Sequence, residues 1–271
     1  ATADLNDVNM IDPFHLDAYG KTTVNYNRDI EIFPVVNAMF ELIYGESPYK
    51  SPTDMGVNMA GNCICDDDAC SDASKQEIIR RYYKCLCDKK RYGSTKDNIY
   101  KLEILMKQAG ITIEDRAVAQ AAIKREAASN GQPTAAIELP DGLIITGENG
   151  ELLGASAAAL LNAIKVLAGI DHDVKLVSSK AIAPIQTLKT EYLGSRNPRL
   201  HTDEILIALS SSAATDETSA LALKQLNKLR GCEAHSSVLL SSVDEQVFQR
   251  LGMHLTSEPK YQETNRYYHK N

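Results

Sequence analysis

Residues 135–139 and 143–146 are two short apolar runs flanking Pro140-Asp141-Gly142. Asp-Gly between β-prone runs is a strong hairpin signal, because glycine takes the backbone conformation a tight turn demands. Before this point, apolar residues recur only at helical spacing. After it, short β-prone runs alternate with helical ones. Strands separated by helices call for a sheet covered by helices, and the hairpin makes that sheet mixed. The expected fold class is therefore α/β, with a mostly helical region over 1–131 carrying polar loops and an α/β domain over 132–271.

In the first region the periodicity predicts helices over 27–45, 74–90, 96–109 and 113–128. Ile32, Val36, Met39 and Ile43 mark the apolar stripe of the first. The segment 46–54, with two prolines, reads as an ordered loop. In the second region the pattern predicts helices over 155–168, 179–193, 202–214, 217–230 and 242–251. Further strands are expected over 174–177, 233–240 and 253–257. The alanine-rich run after Gly147, Gly150 and Gly154 suits close packing, either inside the fold or between subunits.

The chain has 29 Lys and Arg against 36 Asp and Glu, a net charge of -7, which repels nucleic-acid phosphates and anionic lipid. No apolar stretch reaches the roughly 18 residues needed to cross a bilayer. Hydrophobic residues at 44% and charged residues at 24% are ordinary globular usage, which excludes wholesale disorder. Six cysteines in a chain with room for a full core read as reduced thiols, and a cytoplasmic location is expected. The sequence opens on Ala1 without the basic-then-apolar pattern of a signal peptide, and reads as a piece of a longer chain.

Several groupings carry chemistry. Residues 12–29 crowd Asp12, His15, Lys21, Tyr26, Asn27 and Arg28 onto one predicted loop, an arrangement that suits polar ligand recognition and otherwise serves as a solvated linker. Gly20-Lys21-Thr22-Thr23 ends like a P-loop, but His15 stands where that motif needs its first glycine. Asp54, Asn58 and Asn62 repeat every four residues between glycines; they line a pocket or merely cap a short helix. Cys63, Cys65 and Cys70 are weak metal candidates, since their spacing is not that of a zinc knuckle. Between Lys75 and Lys107, ten basic residues face four acidic ones, leaving the rest of the chain at -13. That is the usual look of a wet helix face, with Arg80 and Arg81 the best anion-binding exceptions. At the start of the 202–214 helix, Arg199, His201, Asp203 and Glu204 gather; Thr202 or Asp203 is the expected cap, and His201 the group able to act as acid, base or ligand. His235, in a predicted strand, reads as a core residue. Neither H-E-x-x-H nor G-x-S-x-G occurs.

The runs NMIDPFHLDAYGKTTVNYNRDIEIFP, YGESPYKSPTDMGVNMAGNC, ASKQEIIRRYYK and NPRLHTDEILIALS resemble the bacterial domain of unknown function family 1846, also called UPF0371. The resemblance covers the whole chain. It implies a protein about twice this long, of which this is the C-terminal half, and an N-terminal half with a GSGK-like turn after a strand. Some members are labelled ATP-dependent peptidases, a label that finds no zincin motif here. On this view the N-terminal half is a partner and binds most of any nucleotide cofactor. Lys21, Arg28 and Arg80 would then neutralise phosphate-like charge, Tyr26 and the asparagines would orient the ligand, and Asp12, His15 or His201 would move protons. The other class is an assembly module, a homo-oligomer whose helices over 155–168 and 202–230 meet a second copy, without catalysis.

Overall fold

The computed structural model describes residues 27–48, 67–93 and 96–262. Helices α1 (Asn27–Tyr44), α2 (Asp67–Tyr92) and α3 (Lys96–Ala109) come first. A 3-10 turn (Ile113–Asp115) leads to α4 (Ala117–Ala128), and strands β1 (Thr134–Glu138) and β2 (Ile144–Glu148) follow. Packing divides the chain into two units, one formed by Ala1–Cys85 and Thr95–Asp115, the other by Leu86–Ser94 and Arg116–Asn271. The change of pattern near residue 131 thus falls within the second unit, because α4 packs on the sheet.

In the first unit α3 begins and ends where the periodicity puts it, and Gly110 follows in the left-handed conformation. Ile78, Ile79 and Tyr83 are buried on α2, and Ile99, Leu102 and Met106 on α3. The Tyr82 hydroxyl donates to Glu103 at 3.3 Å. On α1, Met39 and Ile43 of the expected stripe are exposed, with Val35 and Leu42 beside them.

In the second unit the sheet has the order β2-β1-β3-β4, where β3 is Glu233–Ser236 and β4 is His254–Ser257. β1 pairs antiparallel with β2 and β3, and β3 pairs parallel with β4. The turn forms as its residues dictate: Gly142 has φ 82°, and Asp141 Oδ1 accepts the Leu143 N–H at 3.1 Å. Successive β1 residues face opposite sides. Ala136 packs with Val118 and Ala122 of α4, whereas Ala135 and Ile137 join the main core with α5 (Ala155–Leu167). That core also takes Leu200, Ile205 and Leu209 from around α7 (Thr202–Ala213), Ala222 from α8 (Glu217–Leu223) and Phe248 from α9 (Ser242–Arg250). The alanines of α5 serve this unit's own interior: Ala157, Ala159 and Ala163 are all fully buried. The large exposed apolar side chains of the 202–230 region are Ile207 and Leu221.

Several segments differ from their sequence reading. Residues 174–177 are not a strand: Leu176 and Val177 are buried as a connecting segment, and the Leu176 carbonyl accepts the Ser219 hydroxyl at 2.7 Å. β3 stops at Ser236, whose hydroxyl donates to the Val238 carbonyl at 2.7 Å and turns the chain. The helix expected over 179–193 is α6 (Ser179–Thr187), with Pro184 inside it, followed by a π-turn, Leu188–Tyr192. Similarly, α8 tightens into a 3-10 turn, Lys224–Leu229.

Candidate functional site

The parallel β3–α9–β4 unit places the start of α9 beyond the end of β3. Beside it lies the start of α7. Asp244, three residues after the N-cap Ser241, shares its carboxylate between the start of α7 and its own N-cap. Its Oδ1 accepts both the N–H and the hydroxyl of Thr202, each at 2.9 Å. Its Oδ2 meets His201 Nδ1 at 2.9 Å and accepts the Ser241 hydroxyl at 2.8 Å. The cap of α7 is His201 itself, not Thr202 or Asp203 as expected, and the Thr202 N–H and hydroxyl donate to a carboxylate from another helix.

Every other polar group of His201 is engaged. Its N–H donates to Glu204 Oε2 at 2.7 Å, half of a capping box, and its carbonyl accepts the Ile205 N–H at 3.1 Å. Only Nε2 is left without a partner among the described residues, on a side chain 30% exposed.

The hydrogen bond to Asp244 raises the His201 pKa above its usual 6.5, outweighing the opposite effect of burial. For Asp244, burial pushes upward, but the bonds from His201, Thr202 and Ser241 prevail and hold its carboxyl below the usual 3.8. A protonated His201 therefore gives Nδ1–H to a carboxylate and presents Nε2–H outward; deprotonated, it presents a lone pair at the same place. A carboxylate on Nδ1 with Nε2 open is the orienting arrangement that a catalytic triad also uses. The nucleophile of such a triad is absent from the cluster, because Ser241 Oγ lies 3.5 Å from Nδ1 and donates to the carboxylate, whereas a nucleophile activated by this ring must approach Nε2.

The linkage has a definite sign. A raised histidine pKa contributes stability fully present below about 6.5 and lost as pH climbs through the folded-state value. A lowered aspartate pKa contributes stability present above 3.8 and lost as pH falls through its folded value. His201→Gln is thus expected to cost about 1 kcal/mol between these limits and less in alkali, read from urea unfolding at pH 6 and pH 9. An equal loss at both values would contradict the ion pair.

The remaining candidates distribute as follows. Asp12, His15, Lys21, Tyr26, Asp54, Asn58, Asn62, Cys63 and Cys65 lie outside the described residues. Asn27 and Arg28 open α1 and Cys70 lies in α2, with side chains also outside the description. Arg80 gives Nε to Glu77 Oε2 at 2.8 Å, and Arg81 Nε meets Oε1 of the same buried carboxylate at 3.1 Å. His235 is a core residue, its Nδ1 2.8 Å from Thr256 Oγ1, and burial pushes its pKa down. Burial likewise disfavours the charged form of Cys87, pushing its thiol up to about 12. Among the described residues no group of three or more His, Cys, Asp and Glu is placed to hold a metal ion. None of their helices is long and apolar enough to cross a membrane. The sequence singled out His201 but not Asp244, 43 residues on. Ser241-x-x-Asp244 is a local helix-start pattern and says nothing about a partner on another helix.

Comparison with known proteins covers both units. The family model described as domain of unknown function DUF1846, C-terminal, matches residues 114–267, and its N-terminal counterpart matches residues 1–110. The UPF0371 protein cu0538 of Corynebacterium urealyticum is 57% identical over 261 residues, which is 96% of this chain and 52% of its own length. The UPF0371 protein str1377 of Streptococcus thermophilus is 57% identical over 262 residues, 97% of this chain and 53% of that protein. The chain spans about half the length of these curated relatives. The expectation of a C-terminal half alone is corrected, because the N-terminal family model matches here too. With both models matched and more than half the residues identical to these relatives, the chain belongs to the DUF1846 family, known as UPF0371, a family of uncharacterised function.

Proposed function

We propose that this chain is part of an enzyme in which His201 exchanges protons with a bound substrate through Nε2, positioned by Asp244. One observation carries the reading: Nδ1 is held at 2.9 Å by a carboxylate while Nε2 on the partly exposed ring has no partner among the described residues. A histidine serving only as a helix cap needs neither a buried carboxylate on its ring nor an open second nitrogen. In this arrangement Asp244 fixes the tautomer and stabilises the imidazolium, so proton transfer at Nε2 requires little rearrangement. The ligand class rests on the sequence: the polar run with Lys21, Tyr26 and Arg28 supports a nucleotide or another phosphorylated compound as ligand of the whole protein.

A melting screen of the full-length protein against nucleotides and phosphorylated metabolites tests both parts. At least one compound is expected to raise Tm, as any ligand selective for the folded state must. That rise is expected to vanish in a folded His201→Gln variant and to shrink in Lys21→Ala/Arg28→Ala. A ligand whose effect is untouched by His201→Gln removes this histidine from the site. A stable dimer with no ligand effect at all favours the assembly module instead.

A further inference from the structure

The π-turn after α6 places a lysine where the sequence gives no hint of one. Leu193 N–H bonds back five residues to the Leu188 carbonyl at 3.0 Å, and the wider turn carries Lys189, 7% exposed, against the start of α7. Its Nζ donates to the Arg199 carbonyl at 2.7 Å and to Glu204 Oε2 at 2.7 Å. That same Glu204 oxygen accepts the His201 N–H at 2.7 Å. Two ion pairs therefore bracket one residue: Lys189–Glu204 grips its main chain and the chain just before it, and Asp244 grips its ring. π-turns recur where an inserted residue serves a site, and a buried lysine is costly to keep unless it is paired.

We infer that Lys189 and Glu204 are positioning residues for His201, a buried ion pair that fixes its backbone so that its ring meets Asp244. This rests on the reading of His201 as the proton-exchanging group for its functional meaning, while the geometry stands without it. The charged groups around the ring are Asp244 from α9, Glu204 from α7 and Lys189 from the π-turn.

The sign of one measurement separates positioning from mere proximity. Lys189 as a nearby positive charge lowers the His201 pKa, so deleting that charge alone would raise it. If Lys189 positions the ring, deleting it loosens the contact with Asp244, the chief cause of the elevation, and the pKa falls toward its usual value. Imidazole NMR of the full chain, with His201 assigned through His201→Gln, reads this directly. Lys189→Met is expected to lower the His201 pKa and to abolish the slowly exchanging Nδ1–H resonance. Glu204→Gln keeps an acceptor for the His201 N–H but discharges the ion pair; because the Glu204 charge itself raises the His201 pKa, a fall there follows from either cause, and loss of the Nδ1–H resonance is the readout that decides the matter if Lys189→Met does not fold. A pKa that rises or stays fixed, with the Nδ1–H resonance kept, overturns the inference. A ligand screen that fails while the pKa falls as stated would remove the proposed function and leave the positioning role standing.

Discussion

Replacing Arg116 by methionine is expected to destabilise the second unit by about 3–5 kcal/mol, the cost of leaving the partners of a buried charge uncompensated. The Arg116 side chain is fully buried. It sits just before α4 and reaches across β3 and β4. Nε donates to Thr256 Oγ1 at 2.8 Å, Nη1 pairs with Glu233 Oε2 at 2.7 Å, and Nη2 donates to the carbonyls of Ala234 and His254, each at 3.0 Å. Methionine fills much of the volume but removes the charge opposite the Glu233 carboxylate and the donors to the Thr256 hydroxyl and to the Ala234 and His254 carbonyls. At roughly 2–4 °C per kcal/mol for a unit of this size, Tm is expected to fall by about 10 °C. Arg116→Lys keeps the charge but not the planar fork, so it is expected to recover less than half of the loss. A Tm within 2 °C of the parent for Arg116→Met would show that the network contributes little beyond its own desolvation.

Local rules made the elements legible, and distance hid the site. The hairpin follows from Asp141 and Gly142, whose chemistry acts within four residues. The bounds of α3 follow from its own apolar spacing and from Gly110. By contrast, Leu176 and Val177 read as a strand because an apolar pair looks the same in a strand and in a buried connector. What separates them is the Ser219 hydroxyl, 43 residues away, satisfying a carbonyl that no strand pairs. His201 stood out as a histidine at a helix start, but its chemistry depends on Asp244 and Lys189, and neither signals its partner in sequence. Arg116 was invisible for the same reason: its partners lie on strands more than 110 residues on. Polar networks of this kind are specified by the tertiary fold, so a sequence reading finds their members one by one and misses the set.

Gly147 combines both lessons, since its identity is local and its reason is not. A Cβ at this position of β2 would lie 2.1 Å from Ala159 N, 2.7 Å from Ala158 C and 2.7 Å from Ala159 Cα, all backbone of α5. No side-chain rotation relieves that overlap, so the whole helix must lift by more than an ångström to reach ordinary contact distance, about 3.5–4.0 Å. α5 cannot lift cheaply, because Leu160, Ala163 and Ile164 are fully buried. Gly147→Ala is therefore expected to cost about 3 kcal/mol or more, at the upper end of overpacking penalties. Gly150→Ala is the matched control: nothing lies within 4 Å of its added carbon, and its cost is expected to stay within about 0.5 kcal/mol. Trimming the helix with Ala159→Gly is not expected to rescue the variant, because the clash is with main-chain atoms that glycine retains. The displacement should also reach the candidate site. The start of α5 is tied to the start of α7 by the Gly154 N–H donating to the Leu200 carbonyl at 3.1 Å, one residue before His201. A folded Gly147→Ala protein is thus expected to show a perturbed His201 amide, while Gly150→Ala does not. Equal melting of the two variants would mean that strand and helix do not share the contact that the missing side chain allows.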